Sequence, residues 1–261
     1  MKTLEIHPQA VVAPDTKLGA GVTVGAYAVI GEGVELGDGC VVQAHAMVQG
    51  PSRFGRNNIF HAFCLIGGDP QDITYRGERT ELAVGDGNTF REGVTISRGT
   101  QKGGGTTTVG SGNLFLAYAH VGHDCHVGDN TLFVNGATLA GHVAVEDFAT
   151  VGAFSPVHQF CRIGRYAYIG ASTVITQDVL PFSLIVTERE TRCFGANTIG
   201  LERKGFSEER IKILQKAFRV LTRSKKNTSQ ALDEMRTTLT GSADVNELVE
   251  FAENAERGIV K

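Results

Sequence analysis

Tryptophan is absent from the 261 residues, and no apolar run approaches the roughly 20 residues that a membrane-spanning helix needs. An excess of either charge is absent too. Lys and Arg number 25 against 28 Asp and Glu, interspersed, for a net charge of -3, which suggests neither a nucleic-acid footprint nor an acidic tail. The five cysteines (Cys40, Cys64, Cys125, Cys161, Cys193) include no C-x-x-C pair. An odd count fits free thiols in a reducing compartment better than a disulfide framework. The stretch Met1 to His7 carries one lysine and no apolar core, so no signal peptide is read and a cytoplasmic location is expected. The glycine run at 103–105 lacks a G-K-[ST] ending, which excludes a Walker-type phosphate loop. No nucleic-acid partner, no membrane insertion and no metal or cofactor are expected.

Glycine is abundant at 33 residues, and it accompanies a repeat. Stepping by six from Ile6 meets Val12, Leu18, Val24, Ile30, Leu36, Val42, Val48, Phe54, Phe60 and Ile66 without a polar exception. The phase breaks, returns at Val84, Phe90 and Ile96, breaks again, and runs from Val109 through Phe115, Val121 and onward to Ile175. A period of six is short for a helical repeat but fits a solenoid in which each hexad is one short strand plus a turn, three hexads closing a coil. Glycine often follows the repeated aliphatic, as at Gly25 and Gly37, where a turn needs positive φ or close backbone approach. The position four residues after the aliphatic also faces inward. It holds Cys40, Cys64, Cys125 and Cys161, which are therefore read as small buried hydrophobes and not as nucleophiles or metal ligands.

The repeat predicts a mainly β domain over residues 1–182, with two polar or glycine-rich segments leaving the coil near 68–80 and 99–108. Loops that project from a rigid repeat usually carry function. Residues 183–261 begin irregularly. Ser207-Glu208-Glu209 then supplies a capping hydroxyl and two acids for a helix start. Ile211, Leu214, Phe218 and Leu221 follow at helical spacing, then Leu232, Met235 and Leu239, then Val245, Leu248 and Phe251. A small α-helical domain is expected.

Chemistry concentrates between His120 and Gln159. With 18 residues per coil, His123, Gly141 and Gln159 stack in one column, flanked by His142 and His158, while His120 lies across the preceding corner. An imidazole titrates near neutral pH, so His123, followed by Asp124, is the natural general base. His7, His45, His61 and His126 are read as fillers. A second column, Ala117, Asn135, Ala153 and Ala171, is either a tight corner or a furrow able to take an alkyl chain. The histidine cluster also admits a trimeric β-helix carbonic anhydrase with zinc between subunits, and a transferase using acetyl-CoA is a further alternative. A non-enzymatic solenoid would present a regular outward row of one residue type, which this chain lacks.

The sequences A-H-V-G-H-D-C at 119–125, A-T-L-A-G-H at 137–142, V-H-Q-F-C at 157–161 and G-L-E-R-K-G-F at 200–206 resemble the acyl-ACP:UDP-N-acetylglucosamine O-acyltransferases, hexapeptide-repeat enzymes of the first step of lipid A biosynthesis. The resemblance covers both domains. It implies a left-handed parallel β-helix with a C-terminal helical domain, and a homotrimer with active sites between subunits. It further implies acyl carrier protein bearing a 3-hydroxyacyl chain, and a UDP-sugar, as substrates. By the same resemblance His123 is the general base, Asp124 sets its electrostatics, and the Gly141 N–H stabilises the oxyanion. His120, His142, His158 and Gln159 line the sugar and acyl pockets. Gln71 and Asp72 meet the glucosamine ring, Asn197 and Arg203 meet the nucleotide and phosphates, and Ala171 sets acyl length at the groove floor. Thr74 stands where the family often has lysine, with Arg76 nearby as a substitute charge. Ser97 replaces a histidine, and Glu188-Arg189-Glu190 occupies a turn that usually holds glycine and asparagine. Some relatives acylate a 3-amino sugar instead, and the altered loop leaves that acceptor open.

Overall fold

The computed structural model describes residues 4–187, 193, 195–224, 226–255 and 259. The chain forms two compact units, Met1–Thr187 and Glu188–Lys261.

The first unit is a parallel β-helix of three sheets with ten, eight and eight strands, every ladder parallel. Each coil sends one short strand to each sheet. His120 pairs with Thr138 and Thr138 with Pro156, so equivalent residues lie 18 apart. The second residue of a strand is the repeated aliphatic and points inward: Val42, Val121, Leu139 and Ile163 are all buried. Burying such a side chain contributes about 1.5–3 kcal/mol, and the β-branched residues suit the pleat. Phe60, Phe90, Phe115 and Phe133 stack down the core with centroids 5.2, 5.3 and 4.8 Å apart. Cys40, Cys64, Cys125 and Cys161 are buried as expected. Burial pushes the Cys64 and Cys125 thiols up to about 12.

The glycines after the repeated aliphatic are there for close approach. A Cβ at Gly25 would lie 2.5 Å from the Ala44 nitrogen, and one at Gly37 would lie 2.6 Å from the Gly55 carbonyl carbon. Neither has positive φ. The left-handed corner positions come later; some are glycine, as at Gly39 (φ 69) and Gly136 (φ 67), and others carry side chains, among them His45 (φ 62), Asp124 (φ 60), His142 (φ 62) and Phe160 (φ 67). The coil is interrupted twice. Between the strands Leu65–Gly68 and Glu81–Val84 the chain makes a loop, and between Thr95–Ser97 and Thr106–Val109 it makes a second that contains the 3₁₀ turn Gln101–Gly103. Both loops rise from the lower part of the histidine-bearing face, since Thr95 pairs with His120 in the same sheet.

Among its described residues the second unit holds four helices: α1 (Thr198–Arg203), α2 (Glu208–Arg223), α3 (Thr228–Thr238) and α4 (Ala243–Glu253). Ser207 caps α2 by accepting from the Arg210 N–H, with Glu208 and Glu209 in the first turn. Leu214, Leu221, Leu232, Met235 and Val245 enter the core as read from the sequence, together with Ala217. In α4 Val245, Val249 and Ala252 are buried and Leu248 packs half-buried against the same core, as its spacing from Val245 implies, whereas Phe251 is 73% exposed, which corrects its expected place on the inward face. Arg210 grips Asp244 with two hydrogen bonds of 2.9 and 2.7 Å and tethers α2 to α4. The segment expected to be irregular before Ser207 contains α1.

Candidate active site

His123 occupies the corner after the strand His120–Val121, where the chain turns outward. Its Nδ1 lies 2.7 Å from Oδ2 of Asp124. Adjacent residues on an extended strand would point apart; the left-handed φ of Asp124 brings its carboxylate back under the imidazole. Asp124 is buried, and its carboxylate is held by Thr100, which donates its backbone N–H to Oδ1 and its hydroxyl to Oδ2, both at 2.7 Å. The Asp124 N–H donates to Thr107 Oγ1 at 2.8 Å. Thr100, Thr107 and His123 all serve a carboxylate corner that has no other means of burial. Acceptance from an N–H and a hydroxyl leaves the carboxylate as acceptor for His123 as well. Nδ1 therefore carries the proton and Nε2 holds the free lone pair.

Gly141 lies in the next coil directly over the ring. A Cβ there would be 2.6 Å from Cε1 of His123 and 2.8 Å from Nε2, so only glycine leaves the basic nitrogen open. Among the described residues the Gly141 N–H meets no acceptor. His142, at the corner above Asp124, points Nε2 at Oδ2 of Asp124 from 3.7 Å. It crosses His123 edge to face at 5.1 Å and stacks on Phe160 at 4.6 Å. The ligand atoms of His123, Asp124 and His142 gather within 4.8 Å of one another. A cation there would have to displace the proton on His123 Nδ1 and compete with the Thr100 hydroxyl for Oδ2.

His120 shares a 2.7 Å hydrogen bond between its Nδ1 and Thr95 Oγ1. Burial, and then the neighbouring His123, push its imidazole below the ordinary 6.5. His158 and Gln159 are exposed two coils further on, the His158 Nδ1 being 3.1 Å from the Gln159 carbonyl. Ala117, Asn135, Ala153 and Ala171 do form a column, linked by bonds from the Gly136, Phe154 and Ser172 nitrogens to the carbonyls of Ala117, Asn135 and Ala153.

Gln71 is exposed in the first loop, next to Asp72. Oδ1 of Asp72 accepts from both the N–H and the hydroxyl of Thr74 at 2.6 Å each. Those bonds, helped by the Lys102 ammonium, hold the Asp72 carboxyl below the usual range. Arg76, read as a substitute charge near Thr74, donates its guanidinium to the Ile73 and Tyr75 carbonyls of its own loop at 2.9 and 2.8 Å. The ammonium that reaches Thr74 is that of Lys102, from the other loop. Ser97 is buried where the strand register shifts against Gly68. Glu188, Arg189 and Glu190 lie outside the described residues. Asn197 and Arg203 belong to the second unit, where Asn197 Oδ1 caps α1 by accepting from the Gly200 N–H at 3.2 Å and Arg203 ends that helix, exposed. The sequence reading missed Thr100 and Lys102, although the R-G-T before the glycine run placed a hydroxyl beside the corner.

Comparison with known proteins bears on this geometry. The family described as "Udp N-acetylglucosamine O-acyltransferase; Domain 2" matches residues 178–260, and that described as "Bacterial transferase hexapeptide (six repeats)" matches 15–50 and 106–141. The acyl-[acyl-carrier-protein]–UDP-N-acetylglucosamine O-acyltransferase of Xylella fastidiosa is 48% identical over 256 residues, covering 98% of this chain and 97% of its own length. The chain belongs to that acyltransferase family. Solved relatives include the UDP-N-acetylglucosamine acyltransferases of Bacteroides fragilis (35% identity, TM-score 0.66, 98% of this chain and 99% of that one) and Francisella novicida (33%, 0.68, 98% and 93%). The coil is the left-handed parallel β-helix of these acyltransferases, an exception to the right-handed crossover rule. No described helix is long and apolar enough to cross a membrane.

Proposed function

We propose that this acyltransferase moves a 3-hydroxyacyl group from acyl carrier protein to the 3-hydroxyl of UDP-N-acetylglucosamine, the first step of lipid A biosynthesis. It acts in the cytoplasm as a homotrimer with its active sites between neighbouring subunits. The observation that carries the mechanism is the 2.7 Å contact of His123 Nδ1 with Asp124, which leaves Nε2 as the proton acceptor in the space beside Gly141.

The chemistry follows from that lone pair. Nε2 takes the proton of the sugar hydroxyl as its oxygen attacks the thioester carbonyl. Asp124 stabilises the imidazolium that forms, and the Gly141 N–H meets the developing oxyanion. Collapse breaks the carbon–sulfur bond, and Nε2 returns the proton to the departing thiolate. His120, kept neutral by burial, lines the sugar pocket with Gln71 and Asp72. His142, His158 and Gln159 line the sugar and acyl pockets, Asn197 and Arg203 take the nucleotide and its diphosphate, and Ala171 floors the acyl groove.

The test is transfer from a panel of 3-hydroxyacyl-ACPs, and from the matching CoA thioesters, to UDP-N-acetylglucosamine and its 3-amino analogue. Transfer from ACP to the hydroxyl sugar is expected, and in His123→Ala it should fall by about 10²- to 10⁴-fold. Transfer to the amine alone would change the acceptor, preference for CoA would change the donor, and undiminished turnover in His123→Ala would remove the base.

A further inference from the structure

The two loops that leave the coil are joined at two levels. At their base Arg98, 6% exposed, donates to the Gly67 carbonyl and to Asp69, and reaches the Tyr75 hydroxyl at 3.3 Å. At their tips the Lys102 ammonium donates to Thr74 Oγ1. Thr74 has one O–H, and it is directed to Asp72 at 2.6 Å. The hydroxyl therefore accepts from Lys102 and donates to Asp72, a one-way relay of ammonium, hydroxyl and carboxylate. Only Oδ1 of Asp72 is engaged in it; Oδ2 has no protein donor among the described residues.

The other end of the relay is anchored to the catalytic pair. Lys102 is the middle residue of the turn Gln101–Gly103, whose Gly103 N–H donates to the capping Thr100 hydroxyl. That same Thr100 holds Asp124. Gly103 itself presses on the carboxylate, for a Cβ at this glycine would come within 2.1 Å of Asp124 Cγ. Asp72 and His123 come from segments 51 positions apart in sequence, and at the loop tips the Lys102 to Thr74 contact refers the position of the first to that of the second.

We infer that Lys102 and Thr74 form a clasp that positions Asp72 for the acceptor, so that Oδ2 takes a sugar hydroxyl while His123 Nε2 takes the proton of the reacting group. This rests on the function proposed above, with His123 as base and Asp72 as a sugar contact. Lys102 acts through Thr74 and is a positioning residue. An exposed contact of this kind adds little to the stability of a fold, so its loss acts on acceptor binding and leaves folding intact.

The experiment measures kcat, the KM for the acceptor, the KM for 3-hydroxyacyl-ACP and the unfolding midpoint for the full-length wild type, Lys102→Met, Thr74→Val, the double variant and Lys102→Arg. The acceptor is UDP-N-acetylglucosamine or its 3-amino analogue, whichever the wild type acylates. Each single variant is expected to raise the acceptor KM about tenfold, with the acyl-ACP KM and the unfolding midpoint unchanged. The double variant should be no worse than the poorer single, because both break one relay, and Lys102→Arg should stay within about threefold of wild type. Unchanged acceptor KM in the singles, effects that multiply in the double, or a parallel rise in both KM values with a lowered midpoint would each overturn the clasp. Absence of transfer by the wild type would overturn the functional reading itself, and the clasp with it.

Discussion

Thr100 commits both of its donors to Asp124, the backbone N–H to Oδ1 and the hydroxyl to Oδ2, each at 2.7 Å. The hydroxyl reaches the same oxygen that orients His123, so Thr100 fixes the base through its carboxylate partner. A hydrogen bond to a charged group is worth about 1.5–3 kcal/mol. If that energy is felt mainly in the transition state, Thr100→Val should lower kcat by about tenfold to a hundredfold with the acyl-ACP KM little changed, and Thr100→Ser should restore most of it. Wild-type kcat in the valine variant would remove Thr100 from the mechanism.

Gly141 makes a sharper case, because a methyl group there competes with His123 for space. The backbone of Gly141 is not in the left-handed region, so alanine costs no backbone strain; it meets His123 Cε1 at 2.6 Å. A displacement of about 1 Å at a reacting group can cost about a hundredfold. Gly141→Ala is expected to unfold at the wild-type temperature and to lose about that much kcat, with the imidazole turned away in its structure. An unmoved ring with full activity would show that the site tolerates a side chain there.

Much of this is legible in the amino-acid sequence. The hexad period fixed the inward positions because one coil consumes three hexads, and the burial of Cys125 and Leu139 follows from that arithmetic alone. The stacking of Gly141 over His123 followed too. What escaped lies where the period fails. Thr100 and Lys102 sit in a loop whose contacts, 24 and 28 residues away in sequence, obey no repeat. The direct contact of His123 with Asp124 needs the φ of 60° at Asp124, and a corner carrying aspartate instead of glycine does not advertise it. In α4 the spacings i+3 and i+4 both continue a helical face, so Leu248 and Val249 both pack on the core, and Ala252 is buried where Phe251 was expected.

His120 gives the protein a measurable pH dependence. Its imidazole is held below the ordinary 6.5, by burial first and then by the neighbouring His123. The folded state thus binds a proton less readily than the unfolded state does. Above pH 6.5 both states hold His120 neutral and it costs nothing. As pH falls below 6.5 the unfolded chain protonates first, and stability is lost until the depressed value is passed. His120→Asn, which can keep a partner for Thr95 Oγ1, should show a smaller drop in unfolding free energy between pH 7 and pH 5 than the wild type. Equal slopes in the two proteins would mean that His120 titrates alike in both states.

Ala171 closes the column that begins at Ala117, in which Asn135 and Ala153 are the intervening members. The stack is made of small side chains except at Asn135, and the left-handed corner residues Tyr118 and Phe154 beside it are exposed. If an acyl chain runs along this column, the last methylene it can bury is set by the methyl of Ala171. A buried methylene is worth about 0.8 kcal/mol, or about fourfold in kcat/KM per carbon. The wild type is therefore expected to prefer 3-hydroxyacyl-ACPs of short to intermediate length. Ala171→Gly should move the optimum to longer chains and Ala171→Val to shorter ones, each with a fall of about fourfold per carbon beyond the new limit. A single length profile shared by all three proteins would place the end of the acyl groove elsewhere, and the alanine column would then be a corner that is merely tight.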